Sequence, residues 1–405
     1  MRGALVPPGP TPEFVLARPR TAPLDPPPAY SRLCEEAPIS RVTIWDGRRG
    51  AWLVTRWEDA RAVLGHPAFS SDPSQPGYPD VQPDQPPQPP GFFANVDAPV
   101  HTTMRRTLTR EFMVKKIDAL RPTITGITGQ LLDEIARSQG PVDLVERFAL
   151  PLPSLVICEL LGVPYEDHEY FQERSKVFVD ITATGEQFTQ AWGELNAYLL
   201  DLLAAKRKAP GDDVLSRLVE QVDAGTVTEG DATDLAVFLL FAGHETTANM
   251  IALGTVALLQ NPGEIPRLLA GPAETAQAVE ELLRYLSIVH MGLRRLARED
   301  VTIGGVTISA GDGVIVPIHL ANRDPEAFTD PDRLDLGRAN ARQHVAFGYG
   351  IHQCLGQPLA RAELQIALPE LFQRLPGLRL DAPLEDLAFK QETAVYGVSE
   401  LPVTW

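Results

Sequence analysis

The sequence predicts a mainly α-helical fold with small β-sheets, organised as a single domain. Three observations carry that reading. Apolar residues recur at three- and four-residue spacing through most of residues 99–271, as helices with one buried face require. Period-two alternation is confined to short stretches, around residues 42–55 and 301–318 and in the last 20 or so residues. No internal repeat divides the 405 residues, and that length is ample for one large core.

Twenty of the 37 prolines lie in residues 1–100. Residues 1–30 read as an extended, poorly ordered leader ahead of a domain spanning 31–405. A strand pair is expected at Val42–Trp45 and Ala51–Thr55, with a turn at Asp46–Gly47, followed by a short helix at Trp57–Leu64. Residues 73–90 hold eight prolines and little apolar beyond Tyr78 and Val81, which excludes a helix or central strand. That segment is either a surface linker or, taken as 73–96, an access loop over a site.

Helices are expected at Ile117–Ala136, Leu150–Leu161, Phe188–Leu203 and Val214–Val222. The longest is Glu229–Asn261, about 50 Å at 1.5 Å per residue. Thr228 and Asp231 are spaced to cap its start, and Asn261–Pro262 stops it. Two more helices cover Ala273–Leu286 and Leu355–Leu375; Pro369 inside the second is expected to kink or break it. Between them lie strands with turns at Gly304–Gly305 and Gly311–Gly313.

Composition excludes several function classes. A formal net charge of −17 and a pI near 4.9 argue against nucleic acid or an anionic membrane surface as partner. Three cysteines without a CxxC pair make no disulfide framework, and a reducing cytoplasmic setting is the simplest reading. The most apolar run, Leu235–Leu259, is interrupted by His244, Glu245, Thr246, Thr247 and Asn249, so it reads as a buried helix and not a membrane span.

One segment concentrates chemistry. In residues 347–358, Gly348, Gly350 and Gly356 surround Cys354 just before a helix begins. Glycines let backbone N–H groups approach the sulfur, and the helix start favours thiolate over thiol. Such a cysteine is a nucleophile or a metal ligand; a nucleophile would want a His base, and His352, two residues away on a tight loop, need not face the sulfur.

The pattern Phe347, Gly348, Gly350, His352, Cys354, Gly356 resembles the haem-thiolate signature of the cytochromes P450, in particular the soluble bacterial type. The resemblance covers about residues 30–405. It implies haem b with Cys354 as proximal iron ligand and dioxygen as co-substrate. It also implies that Glu245 and Thr246, in Ala242-Gly243-His244-Glu245-Thr246-Thr247, deliver protons during oxygen activation. Ala242 and Gly243 would lie against the flat cofactor, and Gly243 reads either as a helix groove or as close helix packing. His244 reads as a polar helix residue and not a ligand. Glu281 and Arg284 resemble the family's buried Glu-Arg pair, with Arg333 as the third member. His101, Arg105, Arg295 and His352 stand where the family places propionate partners; Arg294 rivals Arg295.

Phe238 and Phe241 lie two and one helical turns before Thr246, Phe92 and Phe93 close the proline-rich loop, and family position adds Val289, His290, Met291, Val395 and Tyr396; all are candidate pocket walls whose plain reading is core. Residues 101–116 carry five basic side chains against Glu111 alone. Arg106, Arg110 and Lys115 are then a solvated face or a docking patch for an acidic iron–sulfur ferredoxin served by its reductase. The expected activity is a monomeric, ferredoxin-dependent haem-thiolate monooxygenase that hydroxylates or epoxidises a hydrophobic natural product or xenobiotic. The alternatives are a peroxygenase on the same fold and a non-catalytic haem protein that binds a biosynthetic intermediate.

Overall fold

The Thr228–Asp231 capping box forms in the computed structural model, which describes residues 11–44, 50–80, 92–138 and 140–405. It starts the longest helix, Glu229–Gln260. In chain order the helices are α1 (Ser31–Glu36), α2 (Trp57–Gly65), α3 (Val100–Thr109), α4 (Val114–Arg137), α5 (Pro151–Leu161), α6 (His168–Val179), α7 (Gly185–Lys208), α8 (Val214–Asp223), α9 (Glu229–Gln260), α10 (Ile265–Leu268), α11 (Pro272–Leu286), α12 (Ile318–Ala321) and α13 (Gln357–Arg374). Strands β1 (Ile39–Thr43), β2 (Gly50–Val54), β3 (Phe69–Ser70), β5 (Leu293–Ala297) and β8 (Gly313–Val316) form one sheet, ordered β1-β2-β8-β5-β3. Strand β4 (Val142–Asp143) joins β9 (Arg379–Leu380) and β10 (Pro402–Thr404), and β6 (Val301–Ile303) pairs with β7 (Val306–Ile308) around Gly304–Gly305.

Helix α9 is apolar nearly all round because other helices cover it. Helices α5, α7, α11 and α13 all pack on it. It is long and apolar enough to cross a membrane, yet most of its apolar window is buried inside the protein, as in a core helix. Leu235, Ala236, Leu240, Ile251 and Leu253 are wholly buried.

Three expectations change. The Val42–Trp45 strand pairs as Val42↔Ala51, but it begins at Ile39 and ends at Thr43; Trp45 and the Asp46–Gly47 turn lie outside the described residues. Residues 11–30 are not a loose leader. The Phe14 N–H donates to Thr43 O (2.8 Å), the Thr43 N–H donates to Pro12 O (2.9 Å), and Tyr30 Oη donates to Val15 O (2.7 Å). Helix α13 runs through Pro369 without ending there. Leu364, Leu368 and Leu371 are buried on either side of the proline, and that packing outweighs the lost backbone bond.

The part of the proline-rich segment before residue 81 is fixed. Tyr78 is buried, with its hydroxyl donating to Arg294 O (3.3 Å), and Pro79 packs against Gly313. Residues 81–91 lie outside the described residues.

Candidate active site

Two elements define the site, the middle of α9 and the loop that ends at Cys354. The loop is built on glycine where side chains have no room. Gly350 has φ +77°, and a Cβ there would fall 2.6 Å from Leu64 O. The Cys354 N–H donates to Phe347 O (2.9 Å), which closes the loop, and Cys354 stands accessible on the wall of the cavity that faces α9. Burial pushes the Cys354 thiol up. The N–H groups of Gly356 and Gln357 and the charges of Arg105 and Arg361 pull it the other way. A cation bonded to the sulfur would complete the shift to thiolate.

The loop is tied down by two buried ion clusters that share adjacent residues of α11. Arg284 grips Glu281 with Nε and Nη2 (2.7 and 2.8 Å), and both side chains are wholly inaccessible. Its Nη1 donates to Asn322 O (2.7 Å). Asn322 Oδ1 in turn accepts from the Val345 N–H (2.8 Å), so the pair reaches the cysteine loop in two steps. The third member is Arg338, which donates Nε–H to both Glu281 oxygens at 3.0 Å. Arg333 was expected there. Its side chain is exposed and only its carbonyl accepts, from Arg284 (3.4 Å) and Arg338 (3.0 Å). The turn that begins at Asp330, at φ +46°, carries Arg333 outward and brings Arg338 in.

The second cluster was not read from the sequence. Glu280 accepts from Arg361 Nε and Nη2 (2.6 and 3.0 Å) and from His344 Nε2 (3.1 Å). Because His344 Nδ1 accepts from the Ala346 N–H (3.1 Å), the ring proton is on Nε2. The Arg361 guanidinium also lies 4.6 Å over the Phe347 ring, so the cluster fixes the aromatic side chain beside the cysteine. Its only sequence signal is the Glu280-Glu281 tandem, whose two members face different partners.

A cavity of about 360 Å³ separates α9 from the cysteine loop. Ala242, Gly243 and Thr246 line one side, and Cys354, Phe347 and Gly356 line the other. Gly243 also answers to packing, since a Cβ there would lie 2.7 Å from Ile157 Cδ1 of α5. Thr246 Oγ1 donates to Ala242 O (3.1 Å), one turn back. Glu245 does not line the cavity. It is buried, and its Oε2 lies 3.6 Å from Lys390 Nζ. His244 is turned away, with Nδ1 donating to Leu240 O (2.7 Å) and its ring edge-on to Phe171.

Of the expected pocket residues, Phe93, Phe238 and Val289 line the cavity. Phe92, Phe241, His290, Met291, Val395 and Tyr396 do not. Phe92 sits behind, edge-on to Phe238 (centroids 4.8 Å), and Phe241 packs on Phe178 (5.3 Å). His290 faces the other way and donates Nε2–H to Thr393 O (2.5 Å). Tyr78, Asn95, Ile157, Leu239 and Glu363 line the cavity and were not anticipated as walls.

Positive charge gathers at one rim. His101, Arg105, Arg294, Arg295 and His352 all line the cavity. The His101 and His352 rings stand 4.1 Å apart. Burial holds His352 down at about 3, aided by Arg295, His101 and Arg105. Burial and Arg105 likewise lower His101. Both His101 nitrogens and His352 Nδ1 are buried without a partner among the described residues. Arg295 is the more buried of the two adjacent arginines, and it is the one acting on both histidines.

The Cytochrome P450 family model matches residues 7–269 and 275–387. The chain belongs to the cytochrome P450 family. Cytochrome P450-SU2 of Streptomyces griseolus is 49% identical over 385 residues, which cover 95% of this chain and 94% of that protein. Pentalenic acid synthase of Streptomyces avermitilis is 48% identical over 389 residues, covering 95% and 96%. The crystal structure of CYP105P1 in complex with filipin I superposes with a TM-score of 0.90 at 41% identity, covering 98% of this chain and 99% of that one.

Cytochromes P450 are haem b monooxygenases that use dioxygen, and the residues present fit that group. A cysteine sulfur on a cavity wall would hold the group's iron, and small residues face it from α9. The unpartnered His101 and His352 nitrogens, beside Arg105 and Arg295, suit two carboxylates, because buried donors of that number need anionic acceptors.

Proposed function

We propose that this P450 inserts one oxygen atom into a C–H or C=C bond of a hydrophobic natural product or xenobiotic, with electrons from an acidic iron–sulfur ferredoxin and its reductase in the cytoplasm. The observation that carries the reading is Thr246 and Cys354 on opposite walls of one mainly apolar cavity. Haem b, when bound there, supplies dioxygen activation. Cys354 holds the group by its sulfur, and His101, Arg105, Arg295 and His352 hold its carboxylates.

Thr246 gives its hydroxyl proton to Ala242 O, so its lone pairs face the cavity and can accept a hydrogen bond from a reacting group. Glu245 lies on the far side of the same turn against Lys390, which is partly exposed. Together they run from the surface to the cavity wall: the Lys390–Glu245 pair stands at the outer end, and Thr246 can donate at the inner end once its hydroxyl turns from Ala242 O. The apolar walls, Phe93, Phe238, Leu239 and Val289, exclude water and select an apolar substrate.

The docking reading of residues 101–116 rests on orientation. Arg106, Arg110, Lys115 and Lys116 are exposed, whereas Glu111 is buried and paired with Arg217 (2.7 Å). The surface is therefore more basic than its sequence. Met113, Val114 and Ile351 are exposed apolar residues that would give a partner contact area. One similar protein is named pentalenic acid synthase and another is solved in complex with filipin I, which supports a natural-product substrate here.

The test is turnover of an apolar natural-product panel with surrogate ferredoxin and reductase, using wild type and Thr246→Ala. The expected result is oxidised product in the wild type, and electron use without matching product in the variant. Unchanged coupling in Thr246→Ala would remove Thr246 from the proton path, and product made only from peroxide would favour the peroxygenase reading.

A further inference from the structure

We propose that Arg18 and His319 form a buried recognition site for a carboxylate, separate from the haem cavity. The segment around residues 11–30 turns the Arg18 side chain into the protein, where it is 5% exposed. Its guanidinium makes one long hydrogen bond, from Nη1 to Leu24 O (3.5 Å), and lies 4.0 Å over the Tyr396 ring. Nε and Nη2 are buried and have no partner among the described residues.

Those two N–H groups share one edge of the guanidinium plane and project in parallel, which is the geometry that takes both oxygens of a carboxylate. The protein uses the same edge twice elsewhere. Arg284 holds Glu281 through Nε and Nη2, and Arg361 holds Glu280 the same way. Among the described residues no acidic side chain forms an ion pair with Arg18, and the pull of Asp25 on it is outweighed by its burial. Asp25 is half exposed and lies 3.9 Å from Arg323, whose charge is already met by Asp332 (2.8 Å). Burial lowers Arg18 to about 10, so it stays cationic at neutral pH. A buried cation without an anion is costly to fold around.

His319, on α12, supplies a further donor. It is 4% exposed, and neither ring nitrogen has a partner among the described residues. The groups that act on it are Arg18, Arg323 and the neutral His290, and none of them is acidic. A neutral His319 ring still offers one N–H. His290 stands outside the donor set: it gives its Nε2 proton to Thr393 O, so its Nδ1 is an acceptor. Ile288, Val289 and Ile318 line the haem cavity, and the Tyr396 N–H donates to Ile288 O (2.7 Å). The enclave therefore lies directly behind one cavity wall. The donor set suits a small carboxylate, either a free organic acid or the acid group of a longer ligand reaching through that wall.

The experiment is thermal unfolding of the holoenzyme in sodium acetate against sodium chloride at equal ionic strength. It is paired with spectral binding titrations of 4-phenylbutyric acid and its methyl ester. If the site takes a free acid, acetate raises Tm saturably in the wild type and in Arg20→Gln, whose arginine is exposed, but not in Arg18→Gln. If the acid is borne by a ligand, 4-phenylbutyric acid binds roughly tenfold or more tighter than the ester, as for charge-assisted hydrogen bonds, and Arg18→Gln abolishes that preference. The proposal is overturned if acetate acts like chloride and the acid holds no advantage over the ester in the wild type. It is overturned equally if either effect survives Arg18→Gln. Should that variant not fold, the wild-type comparison of acetate with chloride and of acid with ester decides alone.

Discussion

Arg338 points its Nε–H between the two carboxylate oxygens of Glu281, 3.0 Å from each, and both side chains are buried. It completes a cluster in which Glu281 also accepts from Arg284 and from the Asp335 N–H. Removing one partner from such a group leaves the rest charged and desolvated. Arg338→Met is therefore expected to cost about 3–5 kcal/mol and to lower haem retention, because the cluster holds the cysteine loop through Asn322. Arg333→Ala removes an exposed side chain and should cost within about 0.5 kcal/mol. Thermal unfolding of both variants checks the assignment, and equal losses would return Arg333 to the cluster.

Cys354→Ser replaces the sulfur with a weak, protonated oxygen donor. The reduced, carbon-monoxide-bound wild type is expected to absorb far to the red of histidine-ligated haem. The serine variant should lack that band, and persistence of the band would mean that another residue binds the iron.

Glu363 lines the cavity, is almost fully buried, and has no partner for either oxygen among the described residues. Burial alone pushes its carboxyl well above the usual 4.5, so the folded protein keeps a proton that the unfolded chain releases. Above pH 4.5 the native state then binds more protons than the unfolded state, and stability falls as pH rises until the folded-state value is passed. Glu363→Gln removes that dependence. The Tm advantage of the variant over wild type should grow between pH 5 and 8, and a constant difference would refute a neutral Glu363.

Glu280 has the opposite sign. His344 and Arg361 overcome its burial and hold it down at about 2. Its stabilising contribution is complete above the ordinary carboxylate value of 4.5 and disappears as pH falls from there towards 2. Glu280→Gln should be less stable than wild type at pH 7, with the gap closing on acidification. Acid unfolding curves that stay parallel would remove Glu280 from the ion cluster.

Most of the long helices were legible from helical apolar spacing or from a long apolar run with caps, although α6 was not anticipated, and the cysteine loop because glycine has few substitutes at positions like Gly350. Side-chain direction in irregular segments was not legible. Arg333 and Arg338 lie on one turn-rich stretch, and only its folded path decides which faces Glu281. Neighbouring residues in the 288–292 turn face opposite sides, so Val289 reaches the cavity while His290 contacts Thr393. The Glu280 cluster draws on α11, α13 and the loop before the cysteine, a grouping with no local period to betray it.

The contact between residues 12–14 and Thr43 has a practical consequence. Strand β1 is the outermost strand of its sheet, and Pro12 and Phe14 occupy backbone groups on its free side. A version trimmed to begin near residue 30 would bare a strand edge able to pair with another molecule. Such a truncation is then expected to self-associate even where its haem site is intact, so the short proline-rich stretch works as a solubility guard for the sheet.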